Sequence, residues 1–380
     1  MFPNLSFNSS AEVIQNAREV ENVFLSVLRE DSDRDHTNKE IQDFTACDWD
    51  KLYESAIQSG LFPVFYNRLL GLELNNIPAD FLSRLKNIYF LNLRRNILLE
   101  QELFRILAYF KELNIPVMPI KGPILARCLY NDVGLRQASC DLDLLVKYET
   151  VNQAKDKLRE LGYGLSLIER KRDFLHPVDL SRQVEQIVLT KGIDSKLSIT
   201  LDLHWCIRGF FSDRGIQKLW QEAGYFALDG QKILMPSHPD HLIYLSLISI
   251  STLEFVQLKY LYDIHRLVTV FGKELDWEEL LYKIEHSNLR NCLYFPLRLS
   301  AVLFSTDIPK EFLDNIRPNW ITRRLISVFI NERSILDFRQ KTKISYPLRY
   351  LLGRYLYSNS FADFLRKSFR GILNEATLDT

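Results

Sequence analysis

Two aspartates, Asp141 and Asp143, stand one residue apart in the otherwise apolar run DLDLLV of residues 141–146. In a β-strand, side chains two residues apart point to the same face, so the two carboxylates would lie side by side. Like charges repel there, and each carboxylate raises the proton affinity of the other. The run therefore predicts a strand whose acid pair needs a compensating charge, which a divalent cation would supply. On this reasoning, Asp143→Asn would leave the fold intact or more stable without the ion.

A third carboxylate, Asp202, occurs in a second strand-like segment, KLSITLDLHW at residues 196–205. Apolar and polar residues alternate in it, so Asp202 and His204 are predicted to share the polar face. If this strand neighbours the first, the three aspartates can hold two Mg²⁺ ions about 3.5–4 Å apart. Mg²⁺ selects oxygen ligands. We interpret His204 as a packing or supporting residue rather than as a metal ligand.

A lysine and a glycine, Lys121 and Gly122, stand between the apolar run IPVMPI and the helix-like segment KGPILARCLYND. A turn that opens a helix offers free backbone N–H groups and the positive end of the helix dipole. Lys121 adds a point charge suited to phosphate, and Arg136 is a further candidate phosphate clamp. Taken singly, a Lys-Gly pair is usually only a turn, and a pair of strand acids is usually only solvated. Their combination in one segment favours phosphate and metal chemistry.

The elements around these residues change character along the chain. Residues 11–113 show apolar positions at helical spacing, whereas residues 116–236 alternate strand-like runs with helical ones. The segment YFALDGQKILMP predicts a hairpin with Asp229-Gly230 as its turn. The chain reads as helical again after Pro236. We expect an α+β fold with three regions: an N-terminal helical region (1–113), a mixed β-sheet module (114–236) and a C-terminal helical region (237–380).

The composition excludes several classes of protein. Lys plus Arg and Asp plus Glu number 48 each, so no net charge points to nucleic acid. The five scattered cysteines lack zinc-site spacing and favour a reducing compartment over a disulfide framework. The first residues lack the basic and apolar regions of a signal peptide, and no uninterrupted run of 18 apolar residues occurs. We therefore expect a cytoplasmic protein without a membrane span.

The stretch IPVMPIKGPILARCLYNDVGLRQASCDLDLLV, followed by KLRELGYG and LDLHW, resembles an uncharacterised nucleotidyltransferase family of the DNA polymerase β-type superfamily. The flanking segments DWDKLYESAIQSGLFPVFYNRLL and HPDHLIYLSLI resemble the helical regions of that family, so the resemblance covers about residues 45–270. The D-x-D pair with a later strand aspartate is its most specific part.

This resemblance implies a nucleotidyltransferase fold and Mg²⁺-dependent transfer of a nucleoside monophosphate, with AMP from ATP favoured, to a hydroxyl acceptor on a small molecule, peptide or protein. Asp141 and Asp143 match the metal-binding pair, and Asp202 matches the third carboxylate, as base or metal ligand. One departure is that Lys121-Gly122 stands where the superfamily usually has Gly-Ser. Lys121 as a phosphate ligand is therefore inferred from the residue itself.

Two further interpretations concern the second half of the chain. Lys259, Tyr262 and Asp263 fall on one helix face and, by analogy with similar transferases, are candidates to line the nucleotide cleft. The alternative, slightly favoured, is an ordinary surface ion-pair face. Residues 341–371 carry seven Lys or Arg and one Asp, a local charge of +6, interleaved with Tyr and Phe. Such a segment suits nucleic acid or an anionic membrane, although packed helices with basic side chains at their surface are the favoured explanation.

An alternative function keeps the fold but makes the protein a binding or regulatory module with little turnover. Retention of three mutually repelling acids argues against that alternative, because a protein that only binds has no need of them.

Overall fold

The structure, a computed structural model, describes residues 19–166, 186–194, 197–207, 213–251, 257–287 and 289–327. The chain divides into two compact units. We call Lys86–His241 the sheet unit, and Met1–Leu85 with Leu242–Thr380 the helical unit. The sheet unit is one continuous piece of chain, whereas the helical unit draws on both ends. The division into regions 1–113, 114–236 and 237–380 stays a prediction.

The described helices follow one another along the chain and are numbered in that order. They are α1 (Glu19–Leu28), α2 (Arg34–Ile41), α3 (Ala46–Ser59), α4 (Phe62–Leu72), α5 (Ala79–Glu112), α6 (Pro123–Tyr130), α7 (Val151–Glu160), α8 (Asp213–Glu222), α9 (His238–Ser251), α10 (Leu258–Phe271), α11 (Trp277–Glu285), α12 (Arg290–Phe304), α13 (Lys310–Asn315) and α14 (Trp320–Ser327). A short 3₁₀ turn, Tyr148–Thr150, precedes α7.

The sheet unit contains a five-stranded mixed sheet with the strand order β1-β2-β5-β4-β3. Its strands are β1 (Val117–Pro119), β2 (Asp141–Val146), β3 (Gly164–Leu165), β4 (Gln186–Gly192) and β5 (Ser198–His204). The pair β2 and β5 is parallel, and the other neighbours are antiparallel. A mixed sheet with helices before and after it confirms the predicted α+β class.

A separate hairpin joins β6 (Gly224–Leu228) to β7 (Gln231–Met235). Asp229 and Gly230 form its two-residue turn with φ values of 47° and 76°. Both residues adopt the left-handed conformation that a type I′ turn requires, which Asp-Gly supplies at low cost. The predicted hairpin is therefore confirmed, with its turn at the expected residues.

The long helix α5 is attached to the sheet by its inner face. Leu99, Leu103, Ile106 and Phe110 are buried at intervals of three and four residues, which places them on one stripe. Beside that stripe, Glu102 accepts hydrogen bonds from Arg105, from the Tyr163 hydroxyl at 3.0 Å and from the Lys191 ammonium at 3.1 Å. Lys191 belongs to β4, so this network fixes the helix to the sheet.

The helical unit has its own apolar core, with a polar group at its centre. The ring of Tyr262 packs edge-on against Phe304, with centroids 5.0 Å apart. His265 is buried beside both rings, and its Nδ1 lies 3.0 Å from the Thr306 hydroxyl. The Thr306 hydroxyl also lies 2.7 Å from that of Ser300. Nδ1 of His265 thus has a hydrogen-bond partner within a core that is mostly apolar.

Two expectations concerned membranes and nucleic acid. None of the helices within the described ranges is both long enough and apolar enough to cross a lipid bilayer. The basic segment 341–371 lies outside the described residues, so its contact with nucleic acid or membrane stays a prediction.

Candidate metal and nucleotide site

The acid residues of the sheet unit meet where two strands run parallel. In the pairing of β2 with β5, Asp143 stands opposite Asp202, and Asp141 stands opposite Thr200. Ile199, Leu201 and Leu203 are buried on the other face of β5. The alternation therefore places Asp202 as the sequence predicted, and the register brings it beside Asp143.

Asp143 is the most deeply buried of the three acids, with 1% of its side chain exposed. Its Oδ1 lies 3.0 Å from the Lys121 ammonium and 3.1 Å from Nε2 of His204. Burial alone would raise the pKa of Asp143, but the His204 hydrogen bond and the Lys121 charge outweigh burial and hold that pKa below its usual value. The Asp143 carboxylate is therefore stable as an anion.

Asp141 behaves differently because it lies at the start of β2, where 24% of its side chain is exposed. Its Oδ2 lies 3.9 Å from the Lys121 ammonium. Burial, and then the charge of Asp143, raise the pKa of Asp141. The charge of Asp143 thus raises the proton affinity of Asp141, as expected from the sequence. The net pKa of Asp143 is nevertheless lowered, because the His204 hydrogen bond and the Lys121 charge favour its anion.

Asp202 carries the least compensated charge of the three. Its Oδ2 accepts a hydrogen bond of 2.9 Å from the side-chain amide of Gln186 on β4. Burial first, and then the charges of Asp143 and Asp141, raise the pKa of Asp202 to about 6. Gln186 was not predicted as a site residue.

Two oxygens of this group are buried without a hydrogen-bond donor. Asp143 Oδ2 and Asp202 Oδ1 find no partner among the described residues. Buried carboxylate oxygens are normally hydrogen-bonded or bound to a cation, since an unsatisfied one costs free energy. One ligand atom each from Asp143, Asp202 and His204 lies within 4.8 Å of the others. Oxygen and imidazole donors so arranged fit a divalent cation.

Lys121 and Gly122 are positioned by the edge of the sheet. The Ile120 N–H donates to the Asp143 carbonyl at 3.2 Å, which extends the β1–β2 ladder by one residue. Gly122 has a φ of +80°, and a Cβ there would lie 3.2 Å from the Ser139 hydroxyl oxygen. Only glycine adopts this turn without strain. Helix α6 then begins at Pro123, so its first residue offers no N–H group.

Helix α5 holds the loop that leads into β2. Asn92 donates to the carbonyls of Gly134 and Arg136, and it accepts from the Ala138 N–H at 2.7 Å. Asn96 donates to the carbonyls of Val133 and Arg136, each at 2.8 Å. These two asparagines were not predicted as functional. The sequence does show them, because they occupy positions where the apolar stripe of α5 would continue.

Two arginines lie near the start of β2, and one of them is the candidate phosphate clamp. Arg95 on α5 donates to the carbonyls of Ser198 and Cys140, which flank the parallel pair. Arg136 is a buried residue of the loop before β2, and its role at phosphate stays a prediction.

The remaining candidates belong to the helical unit. Lys259 and Asp263 lie on α10, together with Tyr262. Asp263 and Tyr262 are buried, so these residues do not form an exposed ion-pair face. The Tyr262 hydroxyl donates to the Leu28 carbonyl at 3.3 Å, which gives it a packing role within the unit. A nucleotide contact for Lys259 and Asp263 stays a prediction.

The geometry can be compared with known proteins. The sequence profile of a family described as "Uncharacterised nucleotidyltransferase" matches residues 45–305, which is well over half of the chain. The chain belongs to this family. The match extends through α12, beyond the coverage of about 45–270 expected from the sequence. No curated protein matches the chain. As a member of this nucleotidyltransferase family, the protein carries Asp141, Asp143 and Asp202 on the two parallel strands of its sheet.

Proposed function

We propose that the protein is a Mg²⁺-dependent nucleotidyltransferase. It moves a nucleoside monophosphate, AMP in the favoured case, from a nucleoside triphosphate to a hydroxyl on a small-molecule, peptide or protein acceptor. The observation that supports this proposal is the pair of buried oxygens on Asp143 and Asp202, in neighbouring parallel strands, that have no hydrogen-bond partner among the described residues. A transferase needs such oxygens for its metal, whereas a sheet without function has no use for them.

The chain's own residues would divide the work as follows. Asp143 and Asp202 would hold the metal, and Asp141, which is more exposed, would complete the ligand set for a second ion. A bound Mg²⁺ supplies Lewis acidity toward phosphate oxygens and lowers the pKa of an acceptor hydroxyl. His204 and Gln186 orient Asp143 and Asp202 by the hydrogen bonds that they already make. This is the supporting role expected around a metal site.

The phosphates of the nucleotide would be held by Lys121, whose ammonium lies beside Asp141 and Asp143. Gly122 allows the backbone to turn next to it. Arg136, Lys259 and Asp263 remain proposed nucleotide contacts. We also propose a cytoplasmic location, because none of the five cysteines, all of which lie in the described residues, forms a disulfide, as a reducing compartment favours.

The proposal is tested by nucleotide binding to the full chain. We expect ATP with Mg²⁺ to raise the melting temperature, since a ligand at 100 times its Kd stabilises by about 2.7 kcal/mol. Asp202→Asn should remove this Mg²⁺-dependent shift. The matched control, Asp156→Asn, changes an exposed aspartate of α7 and should keep it. The proposal is wrong if none of the four nucleoside triphosphates gives a Mg²⁺-dependent shift, or if Asp202→Asn binds Mg²⁺-ATP as well as the parent protein.

A second candidate function is a binding or regulatory module with little turnover. The Lys121–Asp143 ion pair favours it, because this pair compensates the deepest acid without any ion. A module of this kind would bind nucleotide equally with and without Mg²⁺. The same melting measurements in the presence of a chelator therefore distinguish the two functions.

A further inference from the structure

The two acids that stand opposite one another on β2 and β5 each have one oxygen held by the protein and one oxygen open. On Asp143, Oδ1 lies 3.0 Å from the Lys121 ammonium and 3.1 Å from Nε2 of His204. On Asp202, Oδ2 accepts the 2.9 Å hydrogen bond from the Gln186 amide. The other two oxygens, Asp143 Oδ2 and Asp202 Oδ1, are buried and have no hydrogen-bond partner among the described residues. The protein thus treats the two oxygens of each carboxylate differently.

The position of Gln186 follows from the register of the sheet. Gln186 stands opposite His204 in the antiparallel pair β4 and β5, and Asp202 lies two residues before His204 on the same face of β5. Diagonal neighbours of this kind are within reach of a long side chain. A carboxylate at the position of Gln186 would repel Asp202, whereas an amide can donate to it. The amide therefore covers Asp202 Oδ2 with a neutral donor and leaves the charge of the acid for a cation.

The covered oxygens limit how these acids can bind a cation. A carboxylate binds a cation through both of its oxygens only if both are accessible. Oδ1 of Asp143 already faces two donors, and Oδ2 of Asp202 faces one. Ca²⁺ takes more oxygen ligands than Mg²⁺ and can use both oxygens of one carboxylate, whereas Mg²⁺ demands octahedral geometry and keeps several of its waters. One open oxygen from each acid therefore suits Mg²⁺ better than Ca²⁺.

We propose that Gln186 determines the cation preference of this site. By occupying Oδ2 of Asp202, its amide restricts that acid to a contact through one oxygen and makes the site select Mg²⁺ over Ca²⁺. This inference rests on the proposed function and gives Gln186 a role in selection beyond its role in orienting Asp202. On Asp143 the two donors at Oδ1 impose the same restriction, so removal of the Gln186 amide frees only one of the two acids.

The test compares the full-length parent protein with Gln186→Met, which has a side chain of similar length without the amide. Bound Mn²⁺ is followed by electron paramagnetic resonance, and its displacement by Mg²⁺ or by Ca²⁺ gives the Kd of each ion. We expect Gln186→Met to lower the ratio of the Ca²⁺ Kd to the Mg²⁺ Kd by about 10-fold or more, the size of effect typical of residues that support metal ligands. The matched control is Gln153→Met, at an exposed position of α7 in the same unit, which should keep the ratio of the parent protein.

The ratio separates selection from a purely structural role. If Gln186 only orients Asp202 or supports its strand, Gln186→Met weakens the binding of both ions equally, the ratio does not change, and this inference alone is overturned. If Mn²⁺ binds to neither protein, with or without nucleotide, the proposed function fails and the selection fails with it.

The preference of the parent protein tests the inference without dependence on the folding of Gln186→Met. Carboxylates that are free to use both oxygens favour Ca²⁺, because Mg²⁺ gives up its waters reluctantly. A site with one open oxygen on each acid should instead bind Mg²⁺ more tightly than Ca²⁺. A parent protein that binds Ca²⁺ as tightly as Mg²⁺ overturns the selection, while the proposed function is still judged by the melting measurements with nucleotide.

Discussion

At the scale of single residues, the three aspartates are not equivalent. Asp143 has a lowered pKa because Lys121 and His204 face it, whereas the pKa of Asp202 is raised to about 6 by burial and by the other two acids. The folded protein therefore favours the charged form of Asp143 and disfavours the charged form of Asp202. This contrast leads to a different prediction from the one made from the sequence, in which removing the charge of Asp143 mainly relieves repulsion.

The contrast predicts opposite effects of two isosteric substitutions without metal at pH 7. Asp202→Asn should stabilise the protein, since it removes a poorly compensated charge and keeps an acceptor for Gln186. The gain should be on the order of 1 kcal/mol, after a discount for solvent screening around the partly exposed side chain. Asp143→Asn should destabilise the protein by about 2 kcal/mol, because it leaves the Lys121 ammonium facing a neutral amide.

Urea unfolding of the two variants in the presence of a chelator measures both effects. Asp156→Asn again serves as the control for loss of a carboxylate. If Asp143→Asn proves more stable than Asp202→Asn, then repulsion dominates the site, and the ion pair with Lys121 contributes little.

The site was only partly readable from single residues. Asp141, Asp143 and Asp202 were found because an acid in an apolar run is locally visible. The segments QVEQIVLTK and KLSITLDLHW, linked by the turn-rich GIDS, predicted the hairpin of β4 and β5, and the structure confirms this pairing. The local pattern does not show the register that brings the Gln186 amide to Asp202. The pairing of Lys121 with Asp143 also depends on the β1–β2 register, which is a long-range fact. The local sequence thus predicted the three acids but not the contacts that Lys121 and Gln186 make with them.

At the scale of elements, the strands and turns with a local signal were predicted well. The run DLDLLV coincides with β2, and the Asp-Gly turn lies between β6 and β7 as expected. The two-residue strand β3 and helix α8 were not predicted, and α2 lies within the region 11–113 that was predicted as helical but was not singled out as a segment. β3 has only two residues and α2 is strongly polar, so neither strand alternation nor an apolar stripe distinguishes them. Helix α8 does have an apolar stripe of Ile216, Leu219 and Trp220, so its signal was present in the sequence and was missed.

Helix α5 is the element that holds the loop leading into β2 and its aspartates. Its inner stripe is apolar over the last turns, but Asn92 and Asn96 replace apolar residues beside the loop that precedes β2. Backbone carbonyls and N–H groups in a buried loop need partners, and these two amides supply them. An amphipathic helix was predicted here. The two asparagines on its apolar face matter for the site, because they hold the loop that leads into β2.

We expect Asn92→Ala to lower the free energy of unfolding by about 2–3 kcal/mol, because it removes three hydrogen bonds and leaves buried backbone groups unsatisfied. Asn87→Ala, an exposed position on the same helix, is the matched control and should change stability by less than about 0.5 kcal/mol. Chemical unfolding of both variants gives the comparison. Equal stability of the two variants would mean that water replaces the Asn92 amide without loss.

At the scale of the whole molecule, one buried group in each unit, Asp202 and His265, responds to acid with opposite sign. In the sheet unit, the raised pKa of Asp202 means that the folded state binds a proton at this residue more readily than the unfolded chain, so the contribution of Asp202 to stability grows as the pH falls from 6 toward 4. In the helical unit, burial lowers the pKa of His265 to about 4, against a partly opposing charge on Glu30. Arg266 and Arg68 lower it further. A comparison of whole-protein stability with pH therefore needs a variant that isolates one group.

His265→Gln provides that isolation, since its amide can still reach Thr306 but does not titrate. Between pH 6.5 and 4 the unfolded chain binds a proton at residue 265 and the folded chain does not, so the stability of the parent protein falls as the pH falls through this window. Relative to His265→Gln, the parent protein should lose about 2 kcal/mol between pH 8 and pH 5, with little change between pH 8 and pH 7.5. Urea unfolding of both proteins at these three pH values measures the difference. A difference that stays constant down to pH 5 would show that His265 takes up its proton within the folded helical unit, with Glu30, 3.9 Å from its Nε2, as the partner that admits the charge.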